Sequence, residues 1–183
     1  MARIEIKRQV QHETTAGVLE VEGQLEIRLR DDEALTWSLV ADDAPLPEGG
    51  NVVVSLSRLP EAAADPRVAH LGVRIQAGED VRKLAPYLSR IRLVELEFPK
   101  FRDGRNYSSA SILRQQLKYT GEIKAVGDVL ADQLFFMVRC GIDCLVLHPS
   151  VREETARRAL ERYPYVYQQA SDGRRPIWSL RNG

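Results

Sequence analysis

The densest concentration of chemistry-bearing side chains is the segment FPKFRDGRNYS, residues 98–108. Lys100, Arg102 and Arg105 bring three positive charges close together there. Gly104 permits a tight turn, and Ser108 or Ser109 stands where it would cap a following helix. Backbone N–H groups at a helix start, together with guanidinium groups, make an anion site suited to phosphate, sulfate, sulfite or carboxylate. The plainer alternative is an Asp-Gly turn that leaves its arginines in solvent.

A second cluster is KAVGDVLADQ, residues 124–133. Asp128 falls at a strand-to-helix junction, with Lys124 two pleats earlier on the same face. Joined by Glu97 from the preceding strand, the three would form an acid/base constellation tuned by mutual charge. The structural alternative for Asp128 is a helix N-cap. His148 follows the last strand of the central region and faces either that rim or a loop. His12 and His70 have no partners at metal-ligand spacing, so no metal site is expected. Cys140 and Cys144 are too few for a four-thiolate cluster in one chain, and buried packing is the role expected of them. There is no G-x-G-x-x-G after a strand, no phosphate-binding P-loop, no G-x-S-x-G elbow and no H-E-x-x-H, and no cofactor is evident.

These residues depend on a regular frame. Residues 1–46 read as β-rich, with Ile4 and Ile6, then Leu25, Ile27 and Leu29, alternating with charge, and Trp37 and Leu39 following. Pro45, Pro47, Gly49 and Gly50 make a loop. From 51 to 148, strand-like runs at 52–56, 70–76, 93–98, 123–126 and 143–147 alternate with helix-like runs at about 80–91, 109–119 and 129–140. Pro86 predicts a kink or late start in the first of these helices, and Gly141 a C-terminal cap on the third. Residues 149–183 add a helix at about 152–162 and an expected hairpin turning at Asp172-Gly173. The whole reads as an α/β chain with one core, built on consecutive parallel βα units.

Strand alternation separates two faces. Leu71, Val73 and Ile75 oppose Gly72, Arg74 and Gln76; Val94, Leu96 and Phe98 oppose Glu95 and Glu97; Ile123 and Ala125 oppose Lys124, Val126 and Asp128. One face can receive helices, while the other is charged. A doubly wound sheet would need apolar residues on both faces. The pattern matches part of a (βα) barrel, whose inward side chains line a cavity and whose chemistry lies at strand C-terminal ends. That geometry adds Arg74 to Lys100, Arg102, Arg105 and Ser108 as candidate anion ligands, beside Glu97, Lys124 and Asp128 as candidate catalytic groups. The half-barrel's open side is closed by the N-terminal strands or by a second copy in a homodimer, or is simply solvated.

Composition narrows the partners. Among 183 residues, Lys plus Arg and Asp plus Glu number 26 each, which gives no electrostatic reason to bind nucleic acid or an anionic membrane. No apolar run approaches the 18 or so residues that span a bilayer, and the opening MARIEIKRQV lacks the apolar stretch of an export signal, so a cytoplasmic location is expected.

The strings EFPKFRDGRNYSSASILR, GEIKAVGDVLADQLFFMVRCGID and VYQQASDGRRPIW resemble a family of uncharacterised bacterial proteins labelled as an oxidoreductase of sulfite reduction. The resemblance covers about residues 95–178 and is loose over the first 50. It implies a role in sulfur assimilation beside assimilatory sulfite reductase, with that enzyme or another protein of the pathway as partner. It supplies no catalytic residues to carry over, and the oxidoreductase label finds neither cluster ligands nor a dinucleotide motif to rest on.

Overall fold

The computed structural model describes residues 5–8 and 24–180. Its strands form one sheet: β1 (Glu5–Arg8), β2 (Leu25–Arg28), β3 (Ser38–Leu39), β4 (Asn51–Ser55), β5 (His70–Ile75), β6 (Ile91–Phe98), β7 (Glu122–Gly127) and β8 (Cys144–Val146). The order is β1-β2-β8-β7-β6-β5-β4-β3. From β3 to β8 every neighbour is parallel and sequential, while β2 runs antiparallel to β8, and β1 to β2. Right-handed crossovers in sequential order place the connections on one side, and the twisted sheet curls into a half-barrel. Ile4, expected in the first strand, lies outside the described residues.

The helical pieces are shorter than the periodicity predicts. They are α1 (Leu59–Ala64), α2 (Arg105–Ser111), α3 (Leu134–Arg139), α4 (Glu153–Glu161) and α5 (Ile177–Leu180). The expected helix at 80–91 is a 3-10 segment, Val81–Tyr87, entered through Asp80, whose carboxylate accepts from the Arg82 N–H at 3.0 Å. Pro86 within it supplies no amide hydrogen, which removes the donor an α-helical turn would need. α2 begins at Arg105 behind Gly104, so Ser108 and Ser109 lie inside the helix rather than at its cap. It then loosens into a π-type turn, Ile112–Gln116. α3 ends as predicted: Gly141 adopts φ +98°, its N–H donates to Val138 O (2.9 Å), and Ile142 N–H donates to Met137 O (3.1 Å). No helix among the described residues is long and apolar enough to cross a membrane.

At the C-terminus no hairpin forms. Val166 and Pro176 make a single parallel bridge, and Asp172 spends the turn on Arg139, 2.8 Å from its carboxylate. The bridge rests on the Ile177 N–H donating to Val166 O at 2.8 Å, and the chain enters α5 at that same residue, so no ladder extends from it.

The helix-facing side carries the main apolar cluster, in which Val73, Leu96, Ile123 and Leu145 from the strands meet Leu84, Leu113, Leu134 and Met137. Across the sheet, Trp37 packs on Val53 and Leu93 in a small second cluster. Gly72 makes room for it: a Cβ there would lie 3.0 Å from Val53 Cγ2 and 3.3 Å from Trp37 Cζ3. The N-terminal segment thus covers part of the concave face.

Candidate functional site

The rest of that concave face is a row of charges fixed by register. Arg74 on β5 stands beside Glu95 on β6, Glu95 beside Lys124 on β7, and Lys124 beside Cys144 on β8, which pairs with Arg28 on β2. Arg74 donates Nε and one terminal N–H to Glu95 Oε2, at 2.9 and 2.8 Å. The Lys124 ammonium lies 3.3 Å from Glu26 and 3.9 Å from Glu122, and Arg28 reaches Glu122 at 2.9 Å. Glu95 is 1% exposed and Lys124 3%. Burial by itself disfavours the Lys124 ammonium, but the carboxylates of Glu26, Glu95 and Glu122 outweigh it and raise its pKa above the ordinary value. An ammonium so held donates hydrogen bonds and keeps its proton near neutral pH. Burial also pushes the Cys144 thiol well up, so no nucleophilic thiolate stands in the row.

The candidate residues fall into three places. Lys124 and Arg74 belong to the buried row. Glu97 shares their face one pleat further along, half-buried, and its carboxylate makes no hydrogen bond or ion pair among the described residues. Asp128 leaves the sheet, because Gly127 adopts φ +99° and turns the chain. Its carboxylate caps no helix, since the next helical turn starts at Ala131; it accepts instead from the Phe101 N–H at 2.9 Å.

That bond helps to build the third place, the loop after β6. Phe101 is held from both sides, by Asp128 at its N–H and by Gln133 Nε2 donating to its carbonyl at 3.3 Å. The Asp103 carboxylate receives Arg105 at 2.9 and 2.6 Å, and the guanidinium holds it below the usual carboxylate range. Arg105 is therefore neutralised locally. Lys100 and Arg102 are exposed, with no ion pair among the described residues, and flank Phe101, which is itself 47% exposed. Ser108 is exposed on the outer side of α2, away from the concave row. His148 bonds Ser150 Oγ at 2.8 Å, in the loop before α4. Cys140 is half-buried, and burial raises its thiol.

Glu26, Arg28 and Glu122 were not singled out from the sequence, although they complete the row. The signal lay in QLEIRLR, where Glu26 and Arg28 alternate with Leu25 and Ile27 exactly as Glu95 and Lys124 alternate with their neighbours. Among the described residues, no group of three or more His, Cys, Asp or Glu is placed to hold a metal ion.

Fold and site together define a mixed α/β half-barrel protein with its charges enclosed on the concave side and a cationic, aromatic loop on the rim. Residues 72–178 match the family described as bacterial protein of unknown function (DUF934), and the chain belongs to that family. The match takes in β5 to α5, hence the rim loop and all of the charge row outside β2. No curated protein and no solved structure matches the chain.

Proposed function

We propose that this chain is an accessory protein of assimilatory sulfite reduction that works by docking, its Lys100–Phe101–Arg102 tip seated on an acidic surface of a partner enzyme. The observation that carries the reading is the pinned backbone of Phe101, fixed by Asp128 and Gln133 while the two cations beside it stay unpaired. A loop held this way gives up little conformational freedom on binding, and an aromatic between cations suits a desolvated anchor with a charged rim. The concave charges, by contrast, neutralise one another, which favours scaffold over reaction centre. The sulfite-reduction setting rests on the resemblance of residues 95–178.

The test is titration calorimetry of the full chain against assimilatory sulfite reductase from the same bacterium, at low and at moderate salt. Binding should weaken with salt, and the double variant Lys100→Glu, Arg102→Glu should lose about tenfold in affinity or more. No heat at micromolar concentrations, or binding indifferent to the charge reversal, would sink the proposal. A melting-temperature rise with sulfite that the double variant abolishes would shift it to a small-anion site at the same loop.

A further inference from the structure

At the opposite end of the sheet, a cavity of about 470 Å³ opens between the N-terminal ends of β6 and β7 and the segment that follows β2. Ion pairs build one wall. Arg28 and Arg30 both clasp Asp32, at 2.6 and 2.8 Å, while Arg28 also holds Glu122 and Arg30 holds Asp143, each at 2.9 Å. Two lining charges are left without an ion pair among the described residues, Arg92 and Glu33.

Arg92 is placed there by a defect in the sheet. The parallel ladder steps from Leu71↔Ile91 directly to Gly72↔Leu93, so Arg92 is an extra residue with no partner on β5. Bulges re-aim side chains and are rare between parallel strands. This one sends Ile91 into the main cluster on the helix side and Leu93 into the Trp37 cluster across the sheet, and leaves Arg92 exposed between them at the cavity mouth. Leu35, Trp37 and Leu88 supply an apolar wall.

We propose that this cavity binds a free α-amino acid with an apolar side chain, its carboxylate on Arg92, its ammonium on Glu33 and its side chain against Leu35 and Leu88. The lining holds three arginines, Arg28, Arg30 and Arg92, and three acids, Asp32, Glu33 and Glu122, so its formal charge is balanced. A dianion such as phosphate would meet those carboxylates with no surplus cation to offset them. A neutral molecule carrying both charges matches the pair left over, and the volume lies in the range of small-molecule sites. The site shares no residue with the Lys100–Arg102 loop, so its test is independent of the docking proposal.

The experiment is calorimetry and thermal melting of the full chain with L-leucine and L-methionine, beside isocaproate, which lacks the ammonium, and isoamylamine, which lacks the carboxylate. Leucine or methionine should bind and raise the melting temperature, with each single-charge analogue weaker by about tenfold or more, the loss expected for a charge-assisted contact. Arg92→Ala should weaken the amino acids to a similar degree. Glu33→Gln should weaken them while leaving isocaproate unchanged. Both side chains are exposed and unpaired, so circular dichroism and unliganded melting should match the parent. No binding of either amino acid at millimolar concentration overturns the site. Isocaproate binding as well as leucine overturns the amino-acid assignment, and binding unaffected by Arg92→Ala overturns the placement.

Discussion

Replacing Lys124 by methionine tests whether the concave face is a closed interior. The substitution keeps most of the side-chain volume and removes one charge from a residue that is 3% exposed. Breaking a buried pair from one side costs about 3–5 kcal/mol, because the partner left behind stays buried and charged. Here the lower end applies: Glu122 keeps Arg28 and Glu95 keeps Arg74, each under 3 Å, so the loss falls mainly on the contact with Glu26. A cost of about 3 kcal/mol is a large part of an ordinary domain's stability. With an m-value of about 2 kcal/mol/M it lowers the urea midpoint by about 1.5 M. A deficit under about 1 kcal/mol would mean water already solvates the row. The account of an enclosed network would then be wrong.

Three further outcomes are expected. Gly72→Ala puts a methyl 3.0 Å from Val53 Cγ2 and 3.3 Å from Trp37 Cζ3, and should cost about 1–3 kcal/mol by overpacking, read as a fall in melting temperature; an unchanged melt would mean Trp37 does not sit there. Asp128→Ala removes the bond to the Phe101 N–H, so trypsin should cut faster after Lys100 and Arg102 with little change in global stability, and equal cleavage rates would remove the case for a pinned loop. Asp32 is held down to about 2 by Arg30, then Arg28, against an ordinary 3.8. Its contribution is therefore complete above about pH 4 and is lost as pH falls through about 2, by about 1 kcal/mol at most because the side chain is half exposed; Asp32→Asn should flatten that step in acid-denaturation curves.

The sheet was legible because its alternation is strict. Glu95 and Glu97 against Val94, Leu96 and Phe98, and Lys124 against Ile123 and Ala125, allow only one assignment of faces, and that assignment requires helices on one side. The helices were harder to bound: Pro86 and the π-type turn at Ile112–Gln116 are tertiary compromises that a 3.6-residue period does not register. Asp128 was misplaced as a candidate N-cap because the left-handed turn at Gly127 cannot be told from an ordinary strand end. The Arg92 bulge left no trace in the sequence, since a run of Ile, Arg, Leu, Val reads equally well as an unbroken strand. The charge row was half visible. Its central members came from the alternation, but joining Glu26 and Arg28 to them required knowing that β2 lies beside β8.

The row Arg74, Glu95, Lys124 also acts as an address system during assembly. Parallel strands with apolar residues at every second position can slide past one another, and a slip of one residue turns each side chain to the opposite face. For β7 such a slip would drive Lys124 among Val73, Leu96 and Leu145, where no carboxylate waits. A slip of two would keep the faces but set Lys124 beside Leu93 or Glu97 instead of Glu95. Charge on adjacent strands therefore opposes a one-residue slip and the two-residue slip toward Leu93, while the slip toward Glu97 still offers Lys124 a carboxylate and must be excluded by the packing around it.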